Sequence, residues 1–469
     1  MDARRATKAR AVVLVQYVEQ AEERQRSRRA AVAQDSLVAL PRPQIPVARP
    51  AWTFTTGWQG PNLGRLALKI LMLAPQPFFQ PRGTPLSVFQ RLRALSTLGH
   101  ETDLVTYHLG RDVRLPGLRI HRIPAVPLVG EVSIGPSWRK LLLDAVVVLT
   151  AFRLILTRKY DYIHSHEEAA FAAMLLSFLF GVPHVYDMHS SLPRQLKSFN
   201  CGNWFPVIQL FKLLEKLAIR TCRVVITIDG NLERYVLDIH PEAHVTTIEN
   251  LPLDPVQWGV NHEDVPRLRR RLQLQEARPV VYTGTLEQYQ GVELVMESAR
   301  IVASKEPKAR FLMVGGTASQ VAYWRKAAQR MNLESCVQFI GTVPPEEALA
   351  YLQLADVLVS PRTNGTSVPL KIYTYLCAGK ATIATRVASH LEVLDSEIAY
   401  LVEPTGKALA EGILALLGDS SLCKGLGERA RAFAERRYPY AGYVDKVRRV
   451  YDSQIADACA APRVAGPAE

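Results

Sequence analysis

Short apolar runs of strand length alternate with segments of helical periodicity along most of this chain, and that alternation restricts the fold more than any single motif does. The first run is Leu68–Ala74 (LKILMLA). Leu86, Phe89, Leu92, Leu95 and Leu98 then recur at helical spacing, Gly99 closes the segment, and Asp103–Tyr107 reads as a second strand. The pattern continues with strand Tyr160–His166, helix Glu167–Phe180, strand His184–His189, helix Phe205–Cys222, strand Val224–Asp229 and, after a short helix, strand Val245–Glu249. Repeated strand–helix–strand units predict an α/β fold, a doubly wound parallel sheet with helices on both faces.

Asn250–Pro255 (NLPLDP) interrupts the series, which places a linker at 251–262. A second series follows: strands at Pro279–Gly284, Phe311–Gly315, Val337–Gly341, Asp356–Ser360, Thr382–Thr385 and Tyr400–Val402, with helices between them. A chain of 469 residues is too long for one core. Two facing Rossmann-like domains, 66–250 and 263–436, with a cleft between them are therefore expected. Residues 437–455 read as one more amphipathic helix and 456–469 as a flexible tail. Residues 1–65, rich in Arg and Ala and carrying PRPQIPVARP, read as a disordered or mis-started basic extension.

The net charge of +13 favours anionic partners without choosing among nucleotide phosphates, nucleic acid and acidic membranes. The cysteines at 201, 222, 336, 377, 423 and 459 have no metal-site spacing and read as reduced thiols of a cytoplasmic protein. No secretory leader pattern precedes the first strand. Leu141–Leu156 is the most membrane-like run, but it contains Asp144 and Arg153 and is too short to span, so a buried or interfacial helix is expected. Its basic flanks (Arg139, Lys140, Arg153, Arg158, Lys159) also allow peripheral contact with an anionic membrane. G-x-G-x-x-G, Walker, HExxH and GxSxG patterns are absent, as is an Asp-x-Asp pair for a metal-bound diphosphate. Basic residues are not interleaved with aromatics as in nucleic-acid modules, so no nucleic-acid partner is expected.

Chemistry is concentrated in the loops that follow strands. In SPRTNGTSVPLKIYTYLCAGK (Ser360–Lys380) a strand empties into a Gly/Pro loop and a helix opens at about Leu370. Such a loop presents free N–H groups and the positive end of the helix to an anion. Lys371 opposes the helix dipole there, so something else must hold it, unless it is an ordinary solvated lysine. TGTLEQYQG (Thr283–Gly291) also joins a strand to a helix and can shape a second phosphate-cradling loop. Gly83 stands at the first strand-to-helix turn, as a ligand contact or simply a helix-start residue. His166-Glu167-Glu168 and Asp187-Met188-His189 end two successive strands, where histidines serve as catalysts about as often as packing groups.

At these residues the chain resembles a known family. RGTPLSVFQRLRALSTLGHETDLVTYHLGRDV, YDYIHSHEEA, HVYDMHSSLPRQL, YTGTLEQYQGVEL, FIGTV and SPRTNGTSVPLKIYTYLCAGKATIATR look like a branch of glycosyltransferase family 4, in order and over about residues 68 to 452. The resemblance implies the GT-B fold, two Rossmann-like domains with the active site between them, and a last helix that crosses back to the first domain. It implies retaining transfer of a sugar from a nucleoside-diphosphate sugar without a metal or other cofactor. Gly83 matches a glycine turn near donor phosphate and acceptor, His166 a histidine close to the donor sugar, and His189 the neighbouring strand end. Gly284, Thr285, Glu287 and Gln290, with Arg362, Gly365, Thr366, Pro369, Leu370, Lys371 and Thr374, match the donor-binding loops.

Four charged positions depart from the family pattern. Thr285 and Gln290 stand where an Arg and a Lys commonly hold the diphosphate, and Thr366 and Thr374 where two glutamates are common. Lys371 and Arg362 are the candidate replacements for the lost cations. The expected acceptor is a glycan or glycolipid in cell-surface polysaccharide synthesis. Two other readings stand beside this one: a nucleotide-sugar epimerase or hydrolase using Glu167, Glu168 and Glu287 as acid and base, and a non-catalytic sugar-nucleotide-binding subunit.

Overall fold

Burial on both faces is what the first run of strands requires, and the fold supplies it. The computed structural model describes residues 67–80, 83–126, 138–198, 205–255, 258, 260, 263–365 and 367–460, the side chains of 138, 197, 198, 205 and 453–460 excepted. Expectations for the extension 1–65, Arg82, Thr366, Cys201 and residues 461–469 lie outside the described residues.

The first half runs β1 (Lys69–Ala74), α1 (Gly83–Thr97), β2 (Glu101–Thr106), β3 (Leu118–Arg122), α2 (Trp138–Thr157), β4 (Tyr162–His166), α3 (Ala169–Phe180), β5 (His184–Met188), α4 (Leu192–Ser198), α5 (Phe205–Thr221), β6 (Val224–Thr227), α6 (Gly230–Ile239) and β7 (Val245–Thr247). All seven strands are parallel, in the order β3-β2-β1-β4-β5-β6-β7. Alternate β1 side chains enter different cores, as the two-residue period of a strand dictates. Ile70 and Met72 pack with Leu86, Phe89 and Leu92 of α1, whereas Leu71 and Leu73 pack with Leu143, Val147 and Ala151 of α2 and Ala173 and Leu176 of α3. Tyr186 and Val225 face Ala218 and Ile219 of α5 in the same manner. Helices α2, α3 and α5 thus form one layer and α1 lies on the opposite face.

The second half runs α7 (Asp264–Arg271), β8 (Arg278–Thr283), α8 (Val292–Lys305), β9 (Ala309–Val314), α9 (Ala318–Arg330), β10 (Val337–Gly341), α10 (Pro345–Leu354), β11 (Val357–Ser360), α11 (Leu370–Ala378), β12 (Ala381–Thr385), α12 (Ala388–Leu391), β13 (Tyr400–Val402), α13 (Gly406–Gly418), α14 (Ser420–Arg437) and α15 (Tyr440–Ala460). Its six parallel strands are ordered β10-β9-β8-β11-β12-β13. Helix α15 returns to α1: the Tyr440 and Thr97 hydroxyls lie 2.8 Å apart, and the Arg93 guanidinium sits 4.2 Å from the Tyr440 ring centroid.

Three elements differ from the sequence reading. β3 was not anticipated, because LRIHR is a charged edge strand whose Arg119 and His121 reach Asp103 of β2 at 2.9 and 2.8 Å. α4 was not anticipated either, and α7 forms within the charged stretch after the linker. Helix α2, expected as a buried or interfacial helix, has one buried face: Leu143, Val147 and Ala151 are buried, whereas Leu149 is 66% exposed.

Both sheets reverse winding direction at an internal pair, β1/β4 in the first and β8/β11 in the second. Open α/β sheets bind ligands beyond the C-terminal strand ends at such switch points. The loops there begin after Ala74, His166, Thr283 and Ser360.

Candidate active site

The first-half site is a buried knot of rings around one carboxylate. His164 and His166 are two residues apart on β4, so their side chains emerge on the same face. Asp187 precedes His189 by two residues at the end of β5. Arg91, from α1, donates its Nε–H to Asp187 Oδ2 at 2.9 Å, with both side chains almost fully buried. His164 Nε2 lies 3.3 Å from the same oxygen, and its Nδ1 accepts from the Tyr451 hydroxyl of α15 at 2.6 Å. His166 Nδ1 and His189 Nε2 are 3.1 Å apart, so one carries the proton and the other accepts it. They stand 3.7 and 3.5 Å from the Asp187 carboxylate.

Charge is distributed sharply in this knot. Burial opposes ionisation of Asp187, but Arg91 and then the histidines outweigh it and hold its pKa well below the carboxylate range. Burial also opposes the Arg91 charge, and Asp187 more than offsets that. His166 is pushed well below its ordinary pKa, chiefly by burial, and His164 and His189 are lowered too. The histidines are therefore neutral around an Arg91–Asp187 ion pair. His166 Nε2 is buried with no hydrogen-bond partner, a state that calls for an explanation. His164, His166 and Asp187 offer three donor atoms within 4.8 Å of one another. One oxygen of Asp187 and both nitrogens of His164 are already engaged, however, since Arg91 and His164 share Asp187 Oδ2 and the Tyr451 hydroxyl meets His164 Nδ1, while Asp187 Oδ1 has no hydrogen-bond partner. The donor set fits a proton-and-guanidinium network better than a cation site.

Glu167 follows with φ of 51° and accepts from Ser190 Oγ at 3.0 Å. Burial, and next Glu168, push its carboxyl up to about 8, so it is neutral at physiological pH. Gly83 is the first residue of α1, is exposed, and has nothing within 4 Å of where a Cβ would stand.

In the second half, the loops after β8 and β11 meet over the N-terminus of α11. Lys371 Nζ donates to Gln290 Oε1 at 3.1 Å and sits 4.0 Å from the Tyr282 ring centroid. A Cβ at Gly284 would lie 3.0 Å from that Nζ, and its φ of 140° is one that side chains rarely adopt. Gly291 permits the loops to meet, because a Cβ there would fall 1.8 Å from the Pro361 carbonyl oxygen. Arg362 donates to Ser367 O at 2.8 Å, and its guanidinium lies 5.4 Å from the Tyr289 ring centroid. Gly365 lies against that guanidinium. Pro369 occupies the N-cap position of α11, which has no side-chain cap, and Leu370 begins the helix. Burial lowers the Lys371 pKa far below the lysine range and Arg362 adds to the effect; Arg362 itself is lowered by burial. Among the described residues neither cation has a carboxylate within ion-pair distance. Two clustered cations without a counter-ion, beside an uncapped helix start, make an anion site.

The remaining expected residues are less central. The Thr285 carbonyl accepts from the Tyr282 hydroxyl at 2.5 Å. Glu287 accepts from Gln320 Nε2 at 2.7 Å, which ties it to the start of α9. Thr374 is buried, receives the Leu253 N–H at 3.3 Å and donates to Leu370 O at 3.4 Å. It meets the connection between the two halves, one helical turn beyond Lys371.

Several residues of these clusters escaped the sequence reading. Arg91, His164 and Tyr451 complete the first around the expected Asp187; the HSH spacing on a strand was the available signal for His164. Gly315 abuts Gly284 in the second, where a Cβ would fall 2.0 Å from the Gly284 carbonyl oxygen. His390 bonds Ser360 Oγ at 2.9 Å and Thr385 O at 2.8 Å, pinning the β11 exit, and burial lowers its pKa to about 4.

Comparison with known proteins agrees with the two-sheet fold. Residues 81–251 match the family described as Glycosyltransferase Family 4, and residues 277–419 match Glycosyl transferases group 1. The phosphatidyl-myo-inositol mannosyltransferase of Mycobacterium tuberculosis is 23% identical over 401 residues, covering 82% of this chain and 97% of the relative. The D-inositol 3-phosphate glycosyltransferase of Corynebacterium glutamicum is 24% identical over 385 residues, 77% of this chain and 90% of the relative. Among solved structures, Anabaena Alr3699/HepE in complex with UDP-glucose superimposes with a TM-score of 0.65 at 18% identity, covering 82% of this chain and all of that one.

Proposed function

The chain is a glycosyltransferase of the GT-B fold, and we propose that it moves a sugar, with retention and without a metal, from a nucleoside-diphosphate sugar to a glycan or glycolipid acceptor. The setting proposed is cell-surface polysaccharide synthesis on the cytoplasmic side. One observation carries the reading: Lys371 and Arg362 form a cation pair at the α11 N-terminus, beside Gly284 and at the second sheet's switch point, with no carboxylate in ion-pair distance among the described residues. A diphosphate supplies the missing negative charge. Its departure leaves charge on the β-phosphate, which fixed cations and amides stabilise without reorganising.

His166 Nε2, buried and without a partner, supports a contact to a hydroxyl of the donor sugar. Neutral imidazole suits that role, since it can donate or accept one hydrogen bond without adding charge beside an electron-poor sugar carbon. Arg91, Asp187, His164 and Tyr451 are positioning residues that hold the strand-end rings in place. The relatives' names, which carry phosphatidyl-myo-inositol and inositol 3-phosphate, support a lipid-linked or phosphorylated acceptor, while the choice of donor base rests on direct measurement.

The test is a panel of UDP-, GDP- and ADP-sugars titrated calorimetrically into the purified chain, followed by assay of donor hydrolysis and transfer. Saturable binding of one of them, weakened by Lys371→Ala, supports the reading. Absence of binding and of slow hydrolysis across the panel overturns it. The raised pKa of Glu167 favours one rival, a nucleotide-sugar epimerase or hydrolase with a carboxylic acid as proton donor. Conversion of the donor to an isomer with no acceptor present would select that rival.

A further inference from the structure

Of the thirteen large hydrophobic side chains that stand exposed among the described residues, eleven lie on α2, α3 and α5, the single layer covering one face of the first sheet. On α2 the outward positions 141, 145, 149, 152 and 156 follow helical spacing, and all are apolar: Leu, Ala, Leu, Phe and Leu. An outward helix face of a solvated domain is ordinarily polar. Helix α3 has no charged residue, and its Leu175, Phe178 and Leu179 are 54%, 85% and 56% exposed. On α5, Leu210, Leu213 and Leu217 form an exposed stripe beside a second exposed stripe of Lys212, Lys216 and Arg220. The three helices adjoin: Phe152 and Phe180 ring centroids are 5.7 Å apart, and those of Phe171 and Phe211 5.8 Å. Together the eleven side chains expose on the order of 1,000 Å² of mostly apolar surface, beyond the few hundred Å² usual for a monomer's largest patch.

Charge selects the occupant. These helices carry two carboxylates, Asp144 and Glu215, and both turn inward. Asp144 bonds the Tyr107 hydroxyl, and Glu215, fully buried, takes Ser191 Oγ at 2.9 Å and Leu192 N at 3.0 Å. The exposed charges on the layer, Arg139, Arg153, Lys212, Lys216 and Arg220, are all positive. No helix among the described residues is long and apolar enough to cross a membrane. We propose that the outer face of α2, α3 and α5 docks peripherally on an anionic lipid bilayer, the leucines and phenylalanines entering the interface and the lysines and arginines meeting lipid phosphates. A protein partner would need matching acidic rims around an equally large apolar patch; a bilayer supplies both from one surface. Docked this way, the first sheet lies parallel to the membrane and its strand ends, with the histidine knot, open along the lipid surface. The inference is independent of which sugar is transferred.

The test is vesicle flotation of the full chain, with phosphatidylcholine vesicles compared with vesicles containing roughly 30% phosphatidylglycerol. The wild type floats with the anionic vesicles at least about tenfold more than with the neutral ones. A Leu149→Asp/Phe178→Asp/Leu213→Asp variant loses about tenfold or more of that binding, and a Lys212→Ser/Lys216→Ser/Arg220→Ser variant loses about fivefold per cation. Both keep the wild-type melting temperature and nucleoside-diphosphate affinity, so this result is read separately from the sugar chemistry. Wild-type protein that ignores anionic vesicles, or variants that float as the wild type does, overturn the proposal. So does a dimer by analytical ultracentrifugation that Phe178→Asp converts to monomer while vesicle binding is retained.

Discussion

Replacing Lys371 with methionine keeps the stem, removes the charge and should move two observables in opposite directions. Without ligand, the ammonium is held against burial and against Arg362, which is why its pKa falls far below the ordinary 10.5. A lysine with a depressed folded-state pKa leaves the folded protein binding fewer protons than the unfolded chain, so its cost is greatest at low pH and fades as pH approaches 10.5. Lys371→Met removes that cost and also the Tyr282 and Gln290 contacts, for a net gain of about 1 kcal/mol at pH 7. In a chain of this size that gain is a rise of about 1–3 °C in melting temperature. With a nucleoside diphosphate present the sign reverses. Losing one partner of a desolvated charge pair costs about 3 kcal/mol, or about 150-fold in Kd. At a ligand concentration near 100 times the wild-type Kd, the wild type gains about 2.7 kcal/mol and the variant less than about 0.5. Differential scanning fluorimetry with and without ligand should therefore show the two melting curves change order. A variant that melts below the wild type alone and gains as much from ligand would refute the reasoning and make Lys371 a structural cation.

Other consequences follow from the same geometry. His166→Ala should lower kcat for transfer by about 10²–10³ while leaving affinity for the nucleoside diphosphate without its sugar within about threefold; loss of that affinity instead would place the ring elsewhere. Glu167 has a folded-state pKa near 8, so the protein loses stability as pH rises from the ordinary carboxyl range of 4.5 to about 8 and levels off above it. The melting-temperature advantage of Glu167→Gln should widen between pH 5 and pH 8, and a pH-independent difference would contradict the assignment. Gly291→Ala forces a Cβ onto the Pro361 carbonyl at a φ of 76°, so urea unfolding should show a loss of about 2–4 kcal/mol and calorimetry a weaker donor.

Alternation of apolar strands and helical periods made both sheets legible in the sequence, and Gly/Pro loops after strands marked the second-half cluster. Lys371 was readable because a cation in the first turn of a helix opposes the dipole and needs a reason. Its neighbours Tyr282 and Gln290 became neighbours only because β8 pairs with β11, a long-range choice that local pattern does not encode. β3 was hidden because its outward Arg119 and His121 satisfy a buried Asp103, so charge masked a strand. Nothing local to α1 marks Arg91, because its partner Asp187 is 96 residues away. Tyr451 reaches His164 only through the crossing of α15, across 287 residues. The outward leucines of α2 were visible in sequence as an apolar run, but which side faced the sheet depended on the layer it joined.

The central claim is that Lys371 and Arg362 hold a diphosphate over the start of α11. A crystal structure with a nucleoside diphosphate bound tests it most directly. The account predicts phosphate oxygens within hydrogen-bond distance of Lys371 Nζ and of the Arg362 guanidinium, close against Gly284. A diphosphate seated away from both cations, with Lys371 still bonded only to Gln290 and stacked on Tyr282, would contradict it.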